Sequence, residues 1–310
     1  MYLVDIVIVS YNSSREIIDC IKSCYDDKFN FIIVDNNSKD ATVELVKSLD
    51  MVNINLITNY SNFGLASANN QSIPFIKSNL ILILNPDTLI SSASIFDFVT
   101  HFSKNHRVAV AGPSTFETAD AALDGSRWGH SFGNQFNLTD IFYHLFIPSK
   151  YKKTHFKSDD LKPIQVGWVS GHCLMIRREV FEQIQGYDEN YFLSICDVVD
   201  LCRRVRMEGY LIEFVPSIRC VHLGSRSSVN LDVKPLALFK TVQGFLYYLK
   251  KWYGLGFMRL FYILIMIQHI SKYVIFLSVS IFFNKYANRA GPHLFCIKSF
   301  ISEGVPKKSS

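Results

Sequence analysis

The 310-residue chain is 49% hydrophobic, 14% aromatic and 19% charged, a balance that excludes a disordered or fibrous protein and demands a buried core. The net charge of +5 conceals a division: residues 234–310 hold eleven Lys or Arg against Glu303 alone, a net +10, which leaves −5 for residues 1–233. Basic residues interleaved with Phe, Tyr, Leu and Ile suit an anionic membrane surface and give little reason to invoke nucleic acid.

In chain order, Val4 to Ser10 is a β-branched run ending in Tyr11 and Asn12, after which Ile17, Ile18, Cys20, Ile21 and Cys24 recur at helical spacing. Ser13 followed by Glu16 predicts a capping box there. Phe31 to Val34 predicts a second strand, closed by Asp35-Asn36-Asn37-Ser38, and Ala41 to Leu49 a helix. Val52 to Ile57 predicts a strand, and Phe63 to about Ile73 a helix stopped by Pro74. Leu80 to Leu84 is an all-apolar strand ending at Asn85-Pro86-Asp87. Strands without polar alternation, separated by helices, predict an α/β fold with a mostly parallel sheet covered on both faces. Ligands bind beyond the carboxyl ends of such strands. That edge carries Ser10, Tyr11, Asn12, Asp35, the Thr58 to Asn62 segment, Asn85 and Asp87.

Val108 to Gly112 predicts another strand. Residues 114–163, with Trp128, His130, Tyr143, His144 and Lys150 to Lys153, form an irregular excursion that either lines a site or is a surface loop. Order resumes at Val166 to Gly171, which includes Trp168. A strand over Cys173 to Ile176, a helix over Arg177 to Ile184 ending near Gly186, a helix from Asp197 to Glu208 and a strand over Leu211 to Val215 follow. Beyond Ser228 the character changes. Phe239 to Lys251 is helical, and Phe257 to Phe283 is apolar apart from Arg259, Gln268, His269 and Lys272. The longest clean run, Tyr273 to Phe283, falls short of the roughly 20 residues that span a bilayer. The tail therefore reads as interfacial helices, with one tilted span as the alternative. The expected organisation is a body at 1–230, with halves at about 1–113 and 114–230, and a helical region at 231–310. Met1 to Asp5 does not begin a signal segment, which sets the expectation of a cytoplasmic protein. Seven cysteines without CxxC spacing read as reduced structural thiols.

Asp87, directly after an all-apolar strand, stands where a carboxylate can hold Mg2+ or Mn2+ and so bridge a diphosphate. Asn-Pro-Asp is equally an ordinary turn. Asp35 can accept hydrogen bonds from a base or ribose, or serve an Asx turn. Neither GxGxxG nor GxxxxGK[ST] occurs after the first strand, which argues against a nicotinamide dehydrogenase and excludes a P-loop NTPase. Asp188, Glu189, Asp197 and Asp200 form the acidic cluster of the second half. Asp197 and Asp200, three apart at a helix start, can share a face and supply a general base, or serve the helix dipole. His222 is a candidate metal or phosphate ligand, or a packed histidine.

These residues carry a resemblance. Val9-Ser10-Tyr11-Asn12, Val34-Asp35-Asn36-Asn37-Ser38, Asn62-Phe63-Gly64 with Asn69-Asn70, and Leu84-Asn85-Pro86-Asp87-Thr88 resemble the successive nucleotide-sugar motifs of family 2 glycosyltransferases. Ser170-Gly171, Ile176-Arg177-Arg178-Glu179-Val180-Phe181, Gly186-Tyr187-Asp188-Glu189, Asp200-Leu201-Cys202-Arg203-Arg204 and Val221-His222 continue the likeness in order, so that it covers about residues 3–255. Within the family it is nearest to bacterial rhamnosyltransferase-like enzymes of cell-surface polysaccharide and O-antigen assembly. The resemblance implies a GT-A nucleotide-diphosphosugar fold. It implies that Tyr11 and Asp35, with Ser10 and Asn12 beside them, meet the nucleoside, and that Asn62 and Gly64 lie by the ribose and phosphates. Asp87, after Asn85, would belong to a DxD-like site for Mg2+ or Mn2+, His222 would lie by the metal and diphosphate, and the loop with Trp168 and Gly171 would face donor and acceptor.

The base would come from an acid pair, and here the chain departs from its relatives. They read Glu-Asp-Val-Asp-Leu-Cys where this chain reads Cys196-Asp197-Val198-Val199-Asp200-Leu201-Cys202. Counting forward from Tyr187-Asp188-Glu189 reaches Asp197, whereas counting back from Leu201-Cys202 reaches Val198. Asp197 is preferred, since valine accepts no proton, with Asp200 as the fallback. The resemblance thus implies an inverting transfer from a nucleoside-diphosphate sugar, deoxythymidine diphosphate rhamnose or a uridine diphosphate hexose, to a lipid-linked glycan at the cytoplasmic membrane face. The competing classes are a non-catalytic nucleotide-sugar-binding protein and a nucleotidyltransferase.

Overall fold

The computed structural model describes residues 2–49, 51–116, 161–192, 196–223, 234–280 and 287–303. Most of the 114–163 excursion, with its Trp128, His130, Tyr143, His144 and Lys150 to Lys153, lies outside the described residues. The chain divides into two compact units, Met1–Asp188 with Val198–Ser225, and Glu189–Asp197 with Arg226–Ser310.

The first unit runs β1 (Val4–Ser10), α1 (Ile17–Cys24), β2 (Phe29–Asp35), α2 (Thr42–Lys47), β3 (Ile54–Thr58), α3 (Leu65–Asn70), β4 (Leu80–Leu84), β5 (Thr88–Leu89), α4 (Ser92–Lys104), β6 (Val108–Phe116), β7 (Ile164–Gln165), β8 (Cys173–Arg177), α5 (Arg178–Gln183), α6 (Cys196–Met207) and β9 (Leu211–His222). Helix α6 takes its first two residues from the second unit. The nine strands form one sheet in the order β3-β2-β1-β4-β8-β6-β9-β5, with β7 on β9. Strands β1 to β4 are parallel to one another, β8 is antiparallel to both β4 and β6, and β6 is parallel to β9. The expected α/β architecture is present, with the parallel part concentrated in the first half of a mixed sheet.

Ile6, Ile8, Phe31, Ile33, Leu82 and Leu84 share one core with Ile17, Cys20, Ile21, Phe98 and Phe102 of the covering helices. Each large apolar side chain so buried contributes about 1.5–3 kcal/mol. In register, Ser10 pairs with Asp35 and Asp35 with Thr58, while Ile8 pairs with Leu84. The polar residues that follow the apolar runs therefore emerge together along one edge.

Local chemistry changes several boundaries. Ser13 does not cap α1: its hydroxyl turns back to Tyr11, and only its carbonyl receives Glu16 and Ile17 N–H groups, at 3.1 and 3.0 Å. The helix predicted from Phe63 to Ile73 is only α3, followed by a 3-10 turn over Ile73–Phe75 that accommodates Pro74 near its start. Helix α5 ends in a Schellman arrangement in which Gln185 (φ 60°) holds the left-handed position and Gly186 N–H donates to Phe181 O at 2.8 Å. Strand β6 continues past Gly112 to Phe116, and β9 past Val215 to His222. The pairing of β6 with β9 jumps from Pro113–Val215 to Ser114–Arg219, so a bulge absorbs Pro216, and Ser114 Oγ donates to Pro216 O at 3.1 Å.

The second unit contains α7 (Lys234–Ser280), broken at Gly254, and α8 (Ala287–Glu303). Phe239 packs edge-on to Phe300 at 4.7 Å, and Tyr262 meets Phe300 at 5.8 Å. Tyr191 is buried with its ring edge-to-face with Tyr247 at 5.0 Å, which ties the Glu189–Asp197 stretch to the helices. Beyond Gly254, Met258, Phe261, Ile265 and His269 form the buried face of α7. Leu260, Ile263, Ile267, Ile270, Val274 and Leu277, alternately three and four apart, are all exposed. By length and composition alone Pro235–Ser280 suffices to cross a membrane.

Candidate active site

Two polar clusters sit at the carboxyl edge of the sheet in the first unit. In the first, Asp35 is 2% exposed. Its carboxylate accepts from Ser10 Oγ at 3.0 Å, from Ser38 N–H at 2.9 Å and from Ser38 Oγ. The backbone bond is to the residue three on, where an Asx turn would bond two on, and of the roughly four lone-pair positions on a carboxylate one remains for a further donor. Asn12 (φ 53°) receives Lys39 N–H on Oδ1 at 2.7 Å and donates its own N–H to Ser38 Oγ at 2.8 Å, clasping the turn after β1 to the turn after β2. Tyr11, next to Ser10, is 39% exposed.

The loop after β3 is tied to the same place. Asn62 Oδ1 accepts from Gly64 N–H at 3.0 Å, and Gly64 O accepts from Asn36 Nδ2 at 3.1 Å. Gly64 has φ 86°, a conformation in which a side chain would be strained. Asn59 Nδ2 joins Asn36 Oδ1 at 3.0 Å to Gln71 Oε1 at 2.8 Å. Sequence reasoning had Asn59 within the edge segment Thr58 to Asn62 and missed Gln71. Amide ladders of this kind leave no periodic signal, although Asn36 beside Asp35 marked one end.

The second cluster is built by the long β9. Thr88 pairs with His222 across β5 and β9, and Leu223 N–H donates to Asp87 O at 3.0 Å. Asp87 Oδ1 lies 3.2 Å from His222 Nε2, within ion-pair distance although no well-aligned hydrogen bond forms. Burial would lower the His222 pKa, but the Asp87 carboxylate outweighs it and holds the imidazole above its usual value. The turn itself is fixed by Asn85 N–H donating to His172 O at 2.8 Å and Thr88 N–H donating to Asn85 O at 3.1 Å.

His172, which the sequence did not single out, is buried, and its ring stacks on His222 with centroids 4.5 Å apart and planes 15° apart. Trp168 is buried, and Gly171 lies against Val198, whose Cβ is 3.5 Å from where a Gly171 Cβ would stand.

The resemblance implies a divalent cation, and the donor set fits one. An anionic oxygen and an imidazole nitrogen face each other at 3.2 Å, and Asp87 Oδ1 has no directed donor. Among the described residues no third His, Cys, Asp or Glu joins them. That suits an ion such as Mg2+, which is held by one or two protein ligands and completes its shell with water and substrate phosphates.

Helix α6 is unbroken from Cys196 to Met207 and carries Asp197, Val198 and Asp200. Asp200 is fully buried and ion-paired with Arg204 Nε at 2.7 Å. The same guanidinium donates to Ile184 O at 2.7 Å and Gly186 O at 2.8 Å, closing the end of α5. Asp200 is therefore committed to structure. Asp197 lies in the first turn of α6 and is 4% exposed, and Val198 beside it is 2% exposed.

Residues 5–185 match the family model for glycosyl transferase family 2. An N-acetylglucosaminyl-diphospho-decaprenol L-rhamnosyltransferase of Mycobacterium tuberculosis is 27% identical over 213 residues, covering 64% of this chain and 67% of that protein. The rhamnosyltransferase WbbL of Escherichia coli K12 is 22% identical over 228 residues, covering 71% and 83%. In fold, a mannosyltransferase of Pyrobaculum calidifontis in complex with GDP-Man and Mn2+ superposes with a TM-score of 0.54 at 12% identity, over 99% of this chain and 88% of that one. With more than half its length matched, and with the motif residues gathered at one sheet edge, this chain belongs to glycosyl transferase family 2.

Proposed function

We propose that the protein is an inverting, metal-dependent glycosyltransferase that moves a sugar, rhamnose first among the candidates, from a nucleoside diphosphate to a hydroxyl of a lipid-linked glycan. The observation that carries this reading is the Asp87–His222 pair, set by the β5–β9 pairing beside the polar cluster of Asp35. Tyr11, Asp35 and the Asn62–Gly64 loop would receive the nucleoside and ribose. Asp197 would take the proton of the acceptor hydroxyl, whose oxygen attacks the anomeric carbon from the face opposite the diphosphate. The bond to the diphosphate breaks as the new one forms, and a single displacement inverts the centre. A divalent ion held by Asp87 and His222 would supply charge neutralisation on the departing diphosphate.

The names of the curated relatives support rhamnose as the sugar and a lipid diphosphate as the acceptor class. The basic second unit, with its exposed apolar stripe, supports a peripheral position on the cytoplasmic membrane face, with the body over about 1–230 and the membrane-associating region over 231–310. One observation favours a second reading, a nucleotide-sugar-binding protein without turnover: the residue reached by counting back along α6 is the apolar Val198, packed against Gly171.

The test is a panel of nucleotide sugars with Mn2+, Mg2+ or chelator. The expected result is thermal stabilisation by one donor class, about 2.7 kcal/mol at a hundredfold excess over Kd, with release of nucleoside diphosphate when acceptor is added. Asp87→Ala should abolish the metal-dependent part. Pyrophosphate release, or indifference to every donor, would overturn the proposal. Donor-specific stabilisation without turnover would decide for the second reading.

A further inference from the structure

His172 lies at the crossing of everything that holds the Asp87–His222 pair. Its main-chain O receives Asn85 N–H at 2.8 Å, fixing the start of the turn that carries Asp87. Its ring lies flat on the His222 ring at 4.5 Å. That ring is itself pinned at both nitrogens: Nδ1 is 2.7 Å from Ser170 Oγ, and Nε2 is 2.8 Å from Thr115 Oγ1 and 4.0 Å from Cys220 Sγ. Thr115 of β6 and Cys220 of β9 are register partners, so the plate beneath His222 is anchored to two paired strands of the sheet. The His222 imidazole has Asp87 at its edge and His172 on its face.

We infer that His172 is a positioning residue, which sets the plane of the His222 imidazole and the Asn85–Asp87 turn so that the two candidate ligands face one ion. The inference rests on the reading of Asp87 and His222 given above. A ligand ring free to rotate about its side-chain bonds must be ordered when the ion arrives, and a ring already clamped in place does not carry that cost. Partners that orient metal-ligating histidines are commonly worth about 10–100-fold in metal affinity. The hydroxyls of Ser170 and Thr115 can each donate or accept, so the clamp holds whichever ring nitrogen carries the proton.

The test compares wild type with His172→Ala, His172→Phe and Thr115→Val on the full chain. It measures Mn2+ affinity in the presence of nucleoside diphosphate, nucleoside-diphosphate affinity with chelator, and the His222 ring-proton resonances in the metal-free protein. The expected result is an Mn2+ dissociation constant raised by about 10-fold or more in His172→Ala, with metal-free nucleotide affinity unchanged. His172→Phe, which keeps a flat ring over His222, should recover most of the loss, and Thr115→Val should lose an intermediate amount. The His222 resonances should move downfield in His172→Ala as the ring current disappears. Unchanged Mn2+ affinity in folded His172→Ala or Thr115→Val overturns the inference. So does an equal loss of metal-free nucleotide binding, which marks a merely structural role. If the wild type itself binds nucleotide without regard to metal, the reading of the Asp87–His222 pair falls and the inference falls with it.

Discussion

The exposed stripe on α7 makes the membrane reading quantitative. Ile263 and Ile267 are each 55% exposed, one turn apart, among Leu260, Ile270, Val274 and Leu277, with no acidic residue on that helix to repel an anionic surface. Full burial of an isoleucine side chain is worth about 1.5–3 kcal/mol, so the half left exposed here has about 1 kcal/mol to gain on entering lipid. Replacing both by serine, whose helix propensity is close to that of isoleucine, should therefore remove about 2 kcal/mol of membrane affinity, roughly a 30-fold fall in partition coefficient. The assay is co-sedimentation of Ile263→Ser/Ile267→Ser with vesicles of anionic phospholipid. Thermal stability in solution should stay near that of wild type, because neither side chain belongs to the face buried in the second unit. Partitioning indistinguishable from wild type would refute the argument. So would an equal loss for a double substitution on the buried face that leaves the stripe intact.

Asp197→Asn should lower turnover by about 100–10,000-fold, the usual worth of a general base, with donor affinity retained. Val198→Asp should bring no gain, and a faster Val198→Asp enzyme together with a fully active Asp197→Asn would move the base to the other register. At Gly186 (φ 66°) an added Cβ would stand 2.3 Å from Asn70 Oδ1, which accepts from Tyr187 N–H at 2.8 Å while Asn70 Nδ2 donates to Tyr187 O at 2.8 Å. Backbone strain and disruption of that pair should make Gly186→Ala less stable by about 2–4 kcal/mol, visible by calorimetry, and an unchanged melting temperature would remove the close approach as its reason for being glycine.

What the sequence made legible follows from how local each signal is. Leu80 to Leu84 declared itself residue for residue, because a strand buried on both faces admits nothing polar. The edge positions Ser10, Asp35 and Asp87 followed from where the apolar runs stop. The Asp200–Arg204 pair is an i, i+4 spacing that can be read off the chain, but the further engagement of that guanidinium with Ile184 O and Gly186 O cannot, and this network is what ties Asp200 to structure. The strand read over Leu211 to Val215 runs on past Pro216 to His222. Only the pairing of Ser114 with Arg219, directly after that of Pro113 with Val215, shows that the ladder resumes beyond Pro216. His172 gave no signal at all, since its neighbours Thr115, Cys220 and His222 are distant in sequence and a single histidine in an apolar run is ambiguous. The capping box failed for the opposite reason: Ser13 and Glu16 had the right spacing, but the turn after β1 was already engaged with Ser38, Lys39 and Thr42.

The bulge around Pro216 has a consequence for how this site can vary. Before it, β9 is locked to β6 and β7 by the core residues Ile212 and Phe214; after it, the strand carries His222 to Thr88. Because side chains alternate between faces, the irregular residues 216–218 act as a phase adjuster between the two halves. Loss or gain of a single residue there would turn the His222 imidazole to the opposite face of the sheet while leaving every site residue in the sequence. A descendant could thus silence or restore this centre through a segment that touches neither nucleotide nor metal.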